Sequence, residues 1–94
     1  MPNFSRQRKN PQLVALGHAI KRIRLINKFS QETLAFTADL DRSYLGRVER
    51  GDNSVAVLTL SKIAAALGVT MSYLFADANL RADANLKSTD IKPG

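Results

Sequence analysis

The chain has 94 residues, is 45% hydrophobic and 23% charged, carries a net charge of +6 and contains no cysteine. That is the composition of one small globular domain, and it excludes a disulfide scaffold, an iron–sulfur site, a zinc finger and a thiol nucleophile. Half of the fourteen basic side chains (Arg6, Arg8, Lys9, Lys21, Arg22, Arg24, Lys28) fall in residues 1–31, which hold no acid. A basic excess at one end suits a polyanionic partner, nucleic acid or a membrane surface, although many proteins are basic for solubility alone. With one histidine, His18, no metal site, cofactor or catalytic residue is expected, and His18 reads as a surface residue. No segment reads as a signal peptide or approaches the roughly 18 apolar residues of a membrane span, so a cytoplasmic location is expected.

Residues 1–10 read as a basic arm. It is either a solvated tail or a segment that follows phosphates or enters a minor groove. Asn10-Pro11 marks a helix start, because Asn can cap and Pro is tolerated at the first helical position. Leu13, Leu16, Ile20 and Ile23 recur at spacings of three and four, so a first amphipathic helix runs to near Asn27. Ser30 can cap a second helix, from Gln31 to Ala38, with Leu34, Ala35 and Ala38 facing inward. Asp41 can cap a third, which Gly51 ends; Leu45 and Val48 share its inner face. A fourth begins at Ser54 or a nearby residue, buries Val57, Leu60, Ile63, Ala64 and Leu67, and stops at Gly68. Thr70 can cap a short last helix with Met71, Tyr73, Leu74 and Phe75. No segment of the core alternates with period two, so the fold class is all-α, five helices in about 65 residues.

The end of the chain repeats itself. Ala76-Asp77-Ala78-Asn79-Leu80 returns as Ala82-Asp83-Ala84-Asn85-Leu86. Two copies do not make a solenoid. They are either a duplication in a tolerant tail, placed at 78–94, or a helical extension whose Leu80 and Leu86 touch a partner subunit. Lys92-Pro93-Gly94 is expected to fray.

Residues 30–51 carry the chemistry. They read as helix, tight turn, helix, with small Ala35 where the two helices approach. On the third helix Arg42, Gly46 and Arg50 form one row, and Ser43 and Arg47 the next. A helix fits the major groove of DNA, Arg can donate two hydrogen bonds to guanine O6 and N7, and Ser can bond several base edges. Gly46 costs about 1 kcal/mol relative to Ala inside a helix. It fits either close approach to a base pair or methyl group, or tolerance at an exposed position.

Five segments together resemble the phage repressor and Cro type of helix-turn-helix protein, also called the xenobiotic-response-element family. They are Ile20-Lys21-Arg22-Ile23-Arg24, Phe29-Ser30-Gln31-Glu32-Thr33-Leu34-Ala35, Leu40-Asp41-Arg42-Ser43-Tyr44-Leu45, Val48-Glu49-Arg50-Gly51 and Ile63-Ala64-Ala65-Ala66-Leu67-Gly68-Val69. The resemblance covers residues 13–76. Leu40-Asp41-Arg42-Ser43-Tyr44 also looks like the recognition segment of restriction–modification controller proteins.

The resemblance implies a compact five-helix, lambda-repressor-like DNA-binding domain at 11–77. It implies that Arg42, Ser43 and Arg47 read bases, and that Ser30, Gln31, Tyr44 and Arg50 touch the sugar-phosphate backbone. Arg24 and Glu49 would form a structural ion pair between the first and third helices. The partners implied are double-stranded DNA and a second copy of the chain, held through the last helix with Met71, Tyr73, Phe75 and Leu80 as candidates.

The chain departs from the family pattern in places. Lys28 and Asp39 stand where Gly is usual, so each is expected in a left-handed conformation. Ser54-Val55-Ala56 replaces the usual Asn-Pro-Ser, which puts a DNA contact by that loop in doubt. Phe36 replaces a polar residue and is exposed, a partner contact, or packed against the arm.

The function read from these features is a sequence-specific transcriptional regulator, a homodimer on a pseudo-palindromic operator. The alternative is an antitoxin or other interaction module that also binds DNA. Scattered carboxylates, no Gly-rich phosphate loop and no nucleophile–base pairing leave an enzyme without support.

Overall fold

The computed structural model of the protein describes residues 10–87, with side chains for 10–80. The expected arm with Arg6, Arg8 and Lys9, the Leu86 side chain and the chain end at 88–94 lie outside the described residues. Five helices and no strand occur among the described residues: α1 (Pro11–Ile26), α2 (Gln31–Thr37), α3 (Arg42–Arg50), α4 (Val57–Leu67) and α5 (Met71–Lys87).

Four of the five helices start where a side chain can accept an unpaired backbone N–H. Asn10 accepts from Gln12 N at 2.7 Å, Ser30 from Thr33 N at 2.9 Å, Asp41 from Tyr44 N at 3.1 Å and Thr70 from Tyr73 N at 3.0 Å. The start of α4 differs from expectation. Its cap is Ala56, which has no side-chain acceptor and is itself in an extended conformation, so the helix begins only at Val57. Val57 therefore stands in the first turn, 67% exposed, outside the apolar stripe expected to include it.

Helices α1 to α4 close with one device. Residues Lys28, Asp39, Gly51 and Gly68 all have positive φ, at 62°, 59°, 79° and 75°. The N–H of the following residue then reaches back to a carbonyl in the last turn, as Phe29 does to Arg24 and Leu40 to Ala35. Phe29, Leu40 and Val69, each just past such a turn, pack against the core. Lys28 and Asp39 bear a Cβ in a conformation that costs about 1–2 kcal/mol. Lys28→Gly is therefore expected to stabilise the fold by about 1 kcal/mol, since glycine's own entropy cost offsets part of the gain. A thermal melt should shift upward by several degrees; a downward shift would show that the Lys28 side chain contributes more than its φ costs.

The centre is built from one fully buried side chain of each helix: Ile20, Leu34, Leu45, Ile63 and Leu74. Asn27 Nδ2 donates to Leu67 O at 3.3 Å and ties the end of α1 to the end of α4. Arg22 and Asp77 approach to 3.7 Å across α1 and α5.

The last helix is 17 residues long, not short. It passes through both pentapeptide copies, and Ala78, expected in the tail, is 7% exposed and part of the core. The repeat is rich in alanine, the best helix former, and contains neither Gly nor Pro to stop the helix. No single helix among the described residues is long and apolar enough to cross a membrane.

Candidate nucleic-acid interface

Two short helices build the site. Helix α2 is anchored by Leu34 and Ala35, and α3 by Leu45 and Val48, all within the core. The outward side of α3 then presents Arg42, Ser43, Arg47 and Arg50, all exposed, with Tyr44 half-buried. The Arg47 guanidinium carbon lies 5.8 Å from the centre of the Tyr44 ring. Stacking of this kind limits the freedom of a long side chain while leaving its donors available. Arg50 Nε donates to Asp52 Oδ2 at 3.1 Å, which holds it at the end of α3.

Gly46 is not on the exposed row. It is buried, and a Cβ built there would lie 3.5 Å from Arg50 Nη1 and 3.7 Å from Gln31 Nε2. Helical periodicity placed it correctly beside Arg42 and Arg50, but the Gln31 and Arg50 side chains cover it. Its burial overturns the reading of tolerance at an exposed position.

Gln31, at the start of α2, is half-buried, and its Nε2 donates to Glu49 Oε1 at 2.9 Å. Arg24 and Glu49 lie together between α1 and α3, only 7% and 4% exposed. Arg24 Nε meets Glu49 Oε2 at 2.7 Å and Nη2 meets Oε1 at 3.0 Å, a two-pronged pair. The third nitrogen, Nη1, donates to Phe29 O at 2.9 Å. The Ser30 hydroxyl accepts from Thr33 N and donates to Thr33 Oγ1, both at 2.9 Å, so the fold uses it inside α2.

Sequence reading missed Gly17. A Cβ there would collide with the carbonyl oxygen of Val48 and come within 2.5 Å of that of Glu49. Glycine in mid-helix, between Ala15 and Ala19, was the available signal of a close helix crossing. His18 is exposed on α1, and no group of His, Asp or Glu that could hold a metal ion occurs among the described residues. Phe36 is 86% exposed. On α5, Tyr73, Phe75 and Leu80 are 51%, 45% and 67% exposed, while Met71 is half-buried. Phe75 lines a groove between α1 and α5 with Leu13, Leu16 and Asn79.

The helix-turn-helix family profile matches residues 20–74. The control protein C.MunI from a Mycoplasma species is 40% identical over 65 residues, spanning 68% of this chain and 88% of that protein. The crystal structure of the restriction-modification controller protein C.AhdI from Aeromonas hydrophila superposes with a TM-score of 0.65 at 44% identity, covering 66% of this chain and 94% of that one. The controller protein C.Esp1396I, solved as a tetramer in complex with its natural 35 base-pair operator, matches with a TM-score of 0.70 at 30% identity, over 76% of this chain and 93% of that one. The chain belongs to the Cro/C1-type helix-turn-helix family.

Proposed function

We propose that this protein is a sequence-specific DNA-binding transcriptional regulator that acts as a homodimer on a pseudo-palindromic operator. The observation that carries the reading is the surface of α3. Arg42, Ser43 and Arg47 stand exposed on a helix whose other side is locked into the core and, through Glu49, to α1. A helix so presented enters a major groove, and its arginines can address guanine edges. Gln31, Tyr44 and Arg50, with the N-terminal turn of α2 at Ser30, flank it and take the phosphate contacts. The operator-bound relative supports this reading, and the controller relatives point to restriction–modification genes as the regulated class.

Two copies would place two α3 helices in successive major grooves about 34–36 Å apart. Tyr73, Phe75 and Leu80 on α5 supply apolar surface for the two-fold contact. A location in the cytoplasm and the absence of catalysis follow from the same reading.

Fluorescence anisotropy tests it, with DNA from the region upstream of the gene and a scrambled duplex at two salt concentrations. A preference for the native DNA that persists at the higher salt is expected, because base contacts release no counterions. Equal, salt-sensitive binding to both would remove the operator from that region. Arg47→Ala is expected to cost about 1–3 kcal/mol on the operator and to relax preference at one base pair. Equal losses on operator and scrambled DNA would refute a base-reading role.

A further inference from the structure

Glu49 stands at the centre of a buried cluster that reaches across to α2. Its Oε1 accepts twice, from Arg24 Nη2 at 3.0 Å and from Gln31 Nε2 at 2.9 Å. An ionised carboxylate has no proton to donate, so this contact decides which end of the Gln31 amide is the nitrogen. The carboxylate cannot turn away, because Arg24 also grips Oε2 at 2.7 Å and is itself held by Phe29 O at 2.9 Å. The amide lies over Gly46, whose absent Cβ would be 3.7 Å from Nε2 and 3.8 Å from Oε1. A longer side chain at position 46 would occupy the space that Gln31 uses.

We propose that Glu49 is a positioning residue for DNA binding. It holds Gln31 by one amide N–H and leaves the second N–H facing outward to a phosphate oxygen. This deepens, and rests on, the reading of Gln31 as a phosphate contact. The benefit is preorganisation, because the glutamine is ordered when the protein folds and not when DNA arrives. A carboxylate near a phosphate would normally repel it. Here the Arg24 guanidinium offsets the charge, and the cluster offers the phosphate a donor.

A short mixed-sequence DNA duplex is a sufficient probe, since a phosphate contact does not depend on sequence. Its affinity is measured for the wild type, Gln31→Ala, Glu49→Gln and the double variant, with a thermal melt of each. Gln31→Ala and Glu49→Gln are each expected to weaken binding about threefold to tenfold. The double variant should bind no more weakly than Gln31→Ala alone. Independent, multiplying losses would overturn the positioning role and leave Gln31 as a contact. No loss from Gln31→Ala would overturn both the phosphate reading and the proposal. A second measurement needs no variant to fold: the side-chain amide resonances of Gln31 in the wild type. One proton should be shifted and slow to exchange in the free protein, with DNA moving chiefly the other. Two resonances typical of a freely rotating glutamine would overturn the proposal.

Discussion

Gly17→Ala is expected to destabilise the domain by about 3 kcal/mol or more and to lower its melting temperature by at least about 10 °C. Two terms compete. Alanine in mid-helix gains about 1 kcal/mol in helix propensity. Against that, the new methyl group would lie within 2.8 Å of the Glu49 carbonyl carbon and closer still to the carbonyl oxygens of Val48 and Glu49. These are backbone atoms of a helix, so relief requires moving α3 away from α1. That movement also stretches the Arg24–Glu49 pair, which bridges the same two helices. Gly46→Ala is the matched comparison. Its Cβ would meet only side-chain atoms, the nearest at 3.5 Å, so the propensity gain of up to about 1 kcal/mol should prevail. Circular dichroism melts of both variants read the contrast. A Gly17→Ala protein melting within a few degrees of wild type would refute the close crossing.

Arg24→Met should cost about 3–5 kcal/mol, enough to unfold a marginal domain of this size. The change removes three donors at once, two to Glu49 and one to Phe29 O. Glu49, 4% exposed, would be left with Gln31 as the one donor of those described here. The cost lies in stranding a buried carboxyl group, whether by desolvating its charge or by forcing its protonation, more than in losing the attraction. Arg24→Met combined with Glu49→Leu should therefore recover most of the stability, as removing both charges of a buried pair is often nearly neutral. Chemical denaturation of the single and double variants checks this. A double variant as unstable as Arg24→Met would mean that packing by the arginine stem, not charge, is what the fold needs.

Most of the architecture was legible because its causes are local. Asn10, Ser30, Asp41 and Thr70 each satisfy an N–H two or three residues away. Such signals survive in a sequence whatever the rest of the chain does. The apolar spacing of Leu16, Ile20 and Ile23, and of Leu60, Ile63 and Leu67, named the buried faces for the same reason. The left-handed turns at Lys28 and Asp39 came from comparison with a family pattern, since neither residue announces that conformation by its type. The start of α4 was misplaced because Ala56 carries no capping group to mark it. The length of α5 was left between a tail and a helical extension because a repeated pentapeptide at a chain end fits both, and the structure shows the helix, with Ala78 held by packing in the core.

The site divides along the same line. Residue types and helical periodicity were enough to put Arg42, Ser43 and Arg47 on one outward surface and to anchor α3 by Leu45 and Val48. They misjudged Gly46, overlooked Gly17 and did not foresee that Gln31 reaches Glu49, 18 residues away. Each of these depends on a second helix: α3 against Gly17, α2 over Gly46, and α1, α2 and α3 meeting at Glu49. Caps, turns and apolar stripes are written within a turn or two of chain, and the amino-acid order states them directly. How closely two helices cross, and which side chain lies over which, follows from packing among residues far apart in that order, and exists only once the core has formed.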